Sequence, residues 1–281
     1  MDKFTQNSIK STLSKYQIHP NKVMGQNFLI DENVLDKIIE AAEIKKDDTI
    51  LEVGPGLGIL TIELAKKAKQ VIAIEKDKEL TRILNNELRI MNIKNVEIIN
   101  EDILKTKYKM QDTKYKIVAN IPYYLTSPLI RKFLEIKNKP SLMVLMIQKE
   151  VAQRICARPP KMSILSAAVQ FYAEPKIISH VSKKSFWPQP KVDSAILRLS
   201  PTQNKKEQNA DLRRKYYKLI KILFKQPRKT ILNNLRNANL WEQISKEEIV
   251  KDLTRLNINP QDRPQNLGLE QIKNLSKQSE H

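Results

Sequence analysis

Thr49-Ile50-Leu51-Glu52-Val53-Gly54-Pro55-Gly56-Leu57-Gly58-Ile59-Leu60-Thr61 passes from an apolar, β-branched run through an acid into three alternating glycines. Beyond the glycines, Leu60, Ile62, Leu64, Ala65 and Ala68 recur at helical spacing. The stretch therefore reads as a strand, a tight turn and a helix. The chain holds five glycines in 281 residues, and three of them fall here. Residues without a Cβ let the backbone take positive φ or approach a ligand closely at the mouth of a parallel sheet. The following helix points its free N–H groups at the same spot.

A glycine turn alone also fits a plain strand-to-helix connection. The next strand candidate, Val71-Ile72-Ala73-Ile74-Glu75, ends in an acid, where a carboxylate can accept two hydrogen bonds from a ribose diol. That placement suits an adenosine-containing cofactor. The spacing is G-x-G-x-G, shorter than the dinucleotide fingerprint, so no pyrophosphate is implied. With Glu52 in front, the pattern resembles motif I of S-adenosylmethionine-dependent methyltransferases.

From Thr49 to Ile147 strand and helix patterns alternate, with strands expected at Thr49–Val53, Val71–Glu75, Val96–Ile99, Lys116–Ala119 and Leu142–Ile147. Alternation of this kind predicts a parallel, doubly wound α/β sheet, whose ligands bind at the carboxyl ends of the strands. Those ends carry Glu52 and the glycines, Glu75, Glu101-Asp102 and Asn120. Four polar ends beside buried strands make one site.

The fourth end reads Ala119-Asn120-Ile121-Pro122-Tyr123-Tyr124. Pro122 fixes its own φ and pushes Ile121 toward extended geometry, which is expected to hold the carbonyls here away from any helix and free to accept hydrogen bonds. Asn120 brings a side-chain carbonyl and Tyr123 a flat face for a base. Methylation of an exocyclic amine needs both. An adenine N6 lone pair is delocalised into the ring, and accepting its N–H hydrogens favours pyramidal nitrogen while stacking fixes the ring. A sulfonium is already an activated donor, so alignment and electrostatics can carry the reaction without a strong base.

Gly25-Gln26-Asn27-Phe28-Leu29, Glu52-Val53-Gly54-Pro55-Gly56-Leu57-Gly58, Asn120-Ile121-Pro122-Tyr123-Tyr124 and Phe186-Trp187-Pro188-Gln189-Pro190-Lys191-Val192-Asp193-Ser194-Ala195, in that order, resemble the ribosomal RNA adenine N6-dimethyltransferase family. The match runs from residue 22 to about 235, and the combination is far more specific than any one motif. The likeness is greatest to the branch that dimethylates two adjacent adenosines near the 3′ end of small-subunit ribosomal RNA. Gly25 before Gln26 and Thr126-Ser127-Pro128 after the tyrosines favour that branch over the macrolide-resistance methylases of large-subunit RNA. The resemblance implies a class I S-adenosylmethionine methyltransferase fold, a seven-stranded sheet with one antiparallel member, and a small all-α C-terminal domain. It implies cofactor contacts from Asn27, Leu29, Gly54, Gly56, Glu75, Asp102 and Asn120, with Asn120, Pro122 and Tyr123 meeting the target base. Phe186 and Trp187 are either packing anchors or the wall behind that base.

Three segments are expected: a basic, partly ordered N-terminal arm (1–22), the methyltransferase domain (23–200) and a helical RNA-contacting domain (201–281). In the last, Arg213 to Lys229 holds eight basic residues and no acid. Tyr216, Ile220, Leu223 and Phe224 share one helical stripe, and Arg214, Lys218, Lys221 and Lys225 another, so one face packs and the other meets phosphate. Arg228 and Lys229 extend the basic set. The family usually has two arginines before the lysine where this chain reads Pro227-Arg228-Lys229, which puts one phosphate contact in doubt and suggests a helix start near Arg228. Lys273 to His281 reads as a frayed tail.

Bulk properties agree with an RNA partner. The net charge of +19 exceeds what solubility requires and points to a polyanion. A lysine-rich bias of the source organism is the competing explanation. With a mean hydropathy of -0.48, a longest apolar run of Leu142 to Ile147 and no secretory pattern, a cytoplasmic monomer without membrane contact is expected. The single cysteine, Cys156, excludes an internal disulfide and a multi-cysteine zinc site, and no metal is expected. Two other function classes remain: a non-catalytic RNA-binding ribosome-assembly factor on the same fold, and a nicotinamide-dependent oxidoreductase. The latter would need the longer glycine spacing and leaves the basic helix unexplained.

Overall fold

The computed structural model describes residues 5–21, 24–106, 114–202, 209–237 and 245–278, and the following statements concern those residues. Lys22 and Val23, just before the first motif, lie outside them. The chain forms two compact units, residues 1–152 with 175–201, and residues 153–174 with 202–281. Segment 153–174, which the sequence assigned to the methyltransferase domain, therefore packs with the helical unit.

The first unit is built on seven strands. In chain order these are β2 (Thr49–Val53), β3 (Gln70–Glu75), β4 (Val96–Asn100), β5 (Tyr115–Asn120), β6 (Leu142–Gln148), β7 (Ala173–Val181) and β9 (Ser194–Pro201), with spatial order β4-β3-β2-β5-β6-β9-β7. The pairs β2–β3, β3–β4, β2–β5 and β5–β6 are parallel, and β6–β9 is antiparallel, as expected. The chain leaves β2 toward β3 and β4, then returns to the other side of β2 with β5. The topological switch point thus falls between β2 and β5, where a doubly wound sheet opens its ligand crevice.

Every residue of β5 except Asn120 is buried, as is all of β6 except Gln148, so the polar group appears where the strand runs out of core. Helices α2 (Glu32–Ala42) and α3 (Ile59–Lys67) cover one sheet face through Ile38, Leu64 and Ala42, each at most 0% exposed, against Ile50, Val71 and Val118. Burying each large aliphatic side chain contributes about 1.5–3 kcal/mol. Asp31 caps α2, its Oδ1 accepting from Val34 N at 3.3 Å. Helix α4 (Lys78–Ile90) is capped by Asp77 through Glu79 N and Leu80 N.

The N-terminal arm is a correction. Residues Gln6–Lys15 form α1, capped by Thr5, and its Ile9 and Leu13 pack with Phe28, Leu57, Leu80 and Ile83. The arm thus supports the glycine turn from behind. A second small sheet pairs β1 (Phe28–Leu29) with β8 (Phe186–Trp187), Phe28 opposite Trp187 and Leu29 opposite Phe186.

In the second unit, α8 (Ala210–Leu223) buries Tyr216, Leu219, Ile220 and Leu223. Tyr216 donates its hydroxyl hydrogen to Ala167 O at 2.9 Å, beside α7 (Ile164–Gln170). Helix α9 (Ile231–Arg236), capped by Thr230, begins three residues later than the expected Arg228, because Pro227 to Lys229 is spent on a turn. Buried Asn234 pins that turn, donating to Gln226 O, Lys229 O and Thr230 O. After α10 (Lys246–Arg255), α11 (Leu269–Gln278) is ordered helix with Ile272, Leu275 and Ser276 buried. The expected frayed tail is therefore helical through Gln278.

Candidate active site

The carboxyl ends of β2, β3 and β5, with the segment after β4, surround a single cleft in the first unit. Its lining includes Asn27, Leu29, Gly54, Gly56, Glu75, Asp102, Asn120, Pro122 and Tyr123, so one cavity collects all the cofactor and target-base positions named from the sequence. Phe186, 4% exposed, lines it as well, whereas its neighbour Trp187 turns toward α1, with Lys10 Nζ 5.6 Å from its ring centre. Phe186 is thus part of the wall, and Trp187 is an anchor.

The glycine turn needs its glycines for two different reasons. Gly56 has φ +59, and a Cβ there would lie 3.3 Å from Phe28 Cε1, narrowing the cleft floor. Gly58, at φ +83, begins α3, and a Cβ there would lie 2.2 Å from Leu84 Cδ1 in the core. The first glycine keeps room for a ligand, and the second lets helix and core meet.

Glu75 is 8% exposed, and burial raises its pKa against hydrogen bonds from Asp77 N (2.9 Å, to Oε1) and Gly56 N (3.1 Å, to Oε2). Each oxygen keeps a lone pair for a diol. Gln26, unassigned from the sequence, donates from Nε2 to Asp77 Oδ2 at 2.8 Å and so steadies the residue that holds Glu75. The Asp102 carboxyl lies below its usual range because Leu104 N donates to Oδ1 at 2.9 Å, with Lys76 Nζ 3.1 Å from Oδ2. Lys76 was not singled out because its proximity to Asp102 exists only in the fold.

Asn120 Nδ2 donates to the Asn27 carbonyl at 3.3 Å, while Asn27 Nδ2 donates to Gly25 O at 3.1 Å. With its amide hydrogen committed to Asn27, Asn120 keeps Oδ1 as an acceptor. The Pro122 carbonyl is less free than expected. It accepts Leu125 N at 2.9 Å in a single 3-10 turn, Tyr123–Leu125, that runs into α5 (Thr126–Glu135), so only its second lone pair remains. Tyr123 is held by a residue the sequence quoted only inside a motif: its hydroxyl lies 2.8 Å from Ser194 Oγ, and Ser194 is fully buried. Burial raises the phenol pKa, so the ring stays neutral. Ser194→Ala should leave fold and donor affinity intact and raise KM for RNA about threefold, the scale of one lost neutral hydrogen bond. An unchanged KM would detach Ser194 from base positioning.

Glu52, 1% exposed, is raised to about 8 by burial, opposed by nearby Thr61 and reinforced by the Glu75 carboxylate. A carboxyl ionised at 4.5 in the unfolded chain and near 8 when folded costs roughly 3 kcal/mol of stability at pH 7, and the cost grows as pH rises between those values.

Such a switch-point cleft, with short glycine spacing and an acid at the end of the next strand, defines a class I S-adenosylmethionine-dependent methyltransferase. Its donor set fits that cofactor, with carboxylates for the ribose and the adenine edge and a glycine floor without side chains. The profile of the "Ribosomal RNA adenine dimethylase" family matches residues 18–277, and the chain belongs to that family. It is 41% identical over 269 residues to a protein of Dehalococcoides mccartyi named "Ribosomal RNA small subunit methyltransferase A", covering 95% of this chain and 90% of that one. Among solved structures, a dimethyladenosine transferase from Plasmodium falciparum superposes with TM-score 0.75 at 32% identity, covering 88% of this chain and 95% of that one. The 23S rRNA methyltransferase ErmE gives TM-score 0.75 at 27% identity, covering 91% of this chain and all (100%) of that one.

The six basic residues named from the sequence lie in the second unit, where Arg214, Lys218, Lys221, Lys225, Arg228 and Lys229 are all exposed. Although no acid falls between 213 and 229, Asp211 reaches forward to pair with Arg214 (2.8 Å) and Lys215 (2.9 Å). Among the described residues no helix is long and apolar enough to cross a membrane.

Proposed function

We propose that this protein dimethylates N6 of two adjacent adenosines near the 3′ end of small-subunit ribosomal RNA, acting in the cytoplasm during small-subunit biogenesis. The observation that carries the reading is the Asn120 amide. Fixed through Asn27, it offers Oδ1 to an amine hydrogen beside the cleft that Glu75 and Asp102 line. Bound S-adenosylmethionine supplies an activated methyl group. The chain's own residues supply placement. Glu75 holds the ribose, Asp102 the adenine edge of the cofactor, and Asn27, Leu29, Gly54 and Gly56 shape the floor. Asn120 Oδ1 and the remaining lone pair of the Pro122 carbonyl accept the two N6 hydrogens before the first transfer and share the single hydrogen left before the second, while Tyr123 stacks on the ring; each transfer breaks the S–CH3 bond and sheds one N6 proton to solvent. Accepting these hydrogens draws the nitrogen lone pair out of conjugation, and stacking aims it.

The small-subunit target is supported by the relatives' names and by the motif details around Gly25 and Thr126. Mass spectrometry of small- and large-subunit RNA after incubation with an isotopically labelled donor tests it. Label is expected in two neighbouring dimethyladenosines of the small-subunit RNA, and label confined to large-subunit RNA would favour the macrolide-resistance type instead.

Arg214, Lys218, Lys221, Lys225, Arg228 and Lys229 contact RNA phosphate in this reading. Replacing Lys218, Lys221 and Lys225 by Gln should make the log–log salt dependence of RNA affinity shallower by about 2, the counterions of three lost contacts. An unchanged slope would mean that this face is merely solvated.

A further inference from the structure

Glu52 lines the cleft, yet nothing in the reading above uses it. Its Oε2 makes no hydrogen bond of ordinary geometry, and the one polar group close enough to stabilise its charge, Thr61 Oγ1 on α3, 0% exposed, is out of bonding geometry as well, so burial outweighs it. A buried polar atom left without a partner costs free energy, so its persistence at a ligand cleft points to a group that arrives with the ligand. The surroundings set the sign of that group. From β3 the facing charge is Glu75, from α3 the facing polar group is Thr61, and from β5 and α2 the cleft receives Asn120 and Ile38, neither of which titrates. At the outer edge, Lys76 pairs with Asp102 at 3.1 Å, and Glu101 stands beside them. A chain of net charge +19 therefore lines this one cleft with four carboxylates, Glu52, Glu75, Glu101 and Asp102, against a single lysine.

The methyl donor carries a sulfonium and an ammonium against one carboxylate, a net positive charge. The product has lost the sulfonium charge and is neutral overall. We propose that Glu52 is a proton-linked charge sensor for the methyl donor, neutral in the free protein and beside the product, and ionised when the donor occupies the cleft. The inference rests on S-adenosylmethionine as cofactor but not on the RNA target. A solitary carboxyl in so dry a place keeps its proton, and an entering cation offsets the cost of ionising it. The raised pKa that burial gives Glu52 agrees with that resting state. Because donor uptake then expels a proton, donor affinity rises with pH up to about 8 and levels off above it. Product affinity stays nearly flat, so the neutral product is the more easily displaced as pH increases.

Calorimetric titration of the full chain with S-adenosylmethionine and with S-adenosylhomocysteine, in two buffers of different ionisation enthalpy, reads this directly. At pH 7 the donor should release close to one proton more than the product does. Donor Kd should rise about tenfold from pH 7.5 to 6.5, and product Kd less than about twofold. The donor's own ammonium also titrates, and Glu52→Gln isolates the protein's share, because the amide keeps the shape of the neutral acid. That variant should lose most of the excess proton release and the pH slope, with product affinity kept. Equal proton release by donor and product in the unmodified protein, or an undiminished excess in Glu52→Gln, overturns the inference. Failure of both nucleosides to bind would overturn the cofactor reading as well, whereas binding with equal release overturns this inference alone.

Discussion

Asn120→Ala is expected to lower kcat for methyl transfer by about 10²–10³-fold, the scale of removing one oriented hydrogen-bonding group that acts at the reacting atom. Its partner Asn27 keeps its own side-chain bond to Gly25 O, so the loop before β1 should hold its shape. Donor affinity should change only a few-fold, because the proposed reading gives the nucleoside to Glu75 and Asp102. The effect therefore falls on kcat and not on folding, which circular dichroism and donor titration on the same sample can show. Undiminished turnover in this variant would remove Asn120 from the chemistry and with it the mechanism.

Gly58→Ala should produce the largest loss of stability. The backbone there has φ +83, which costs an alanine about 1–2 kcal/mol, and its new Cβ would sit 2.2 Å from Leu84 Cδ1. Leu84 is 0% exposed and packs in the cluster with Ile62 and Leu88, so it cannot yield freely, and overpacking adds about 1–3 kcal/mol. A total of about 2–5 kcal/mol corresponds to a fall in Tm of roughly 5–15 °C. Thermal unfolding checks this. A Tm within a degree of the unmodified protein would mean that the turn and α3 relax more readily than their packing suggests.

Much of the architecture was legible because local pattern and global fold agree. β2, β3 and β5 each carry an apolar run with a polar residue at or next to the carboxyl end, and the only concentration of glycines marks the switch point. The cleft residues could be named because they cluster in a few short motifs. What escaped has identifiable causes. Helix α1 rests on Ile9, Leu13 and Tyr16, an i, i+4, i+7 stripe diluted by polar residues. That stripe, with the Thr5 cap, was the available signal. Helix α11 similarly sets Leu269, Ile272 and Leu275 among polar neighbours. The β1–β8 ribbon is two residues wide, too short for any periodicity, and its pairing joins residues far apart in the chain. Lys76, Gln26 and Ser194 gain their parts through distances of 2.8–3.1 Å to Asp102, Asp77 and Tyr123, which no linear pattern records. The Pro122 carbonyl was misjudged because a proline that cannot donate still accepts, and here it opens a 3-10 turn.

The buried Glu52 explains a further feature of the sequence. An acid in the second-to-last position of a core strand costs stability. Its place in the cleft is intelligible if the ligand carries the compensating charge.

A crystal structure of the protein with a non-reactive amine analogue of S-adenosylmethionine tests the central claim most directly. The ribose hydroxyls should lie within hydrogen-bonding distance of both Glu75 oxygens and the adenine amine near Asp102. The transferable-methyl position should face the Oδ1 side of Asn120 across a space large enough for a purine. An analogue seated elsewhere, or Asn120 Oδ1 turned from that space into the core, would contradict the account.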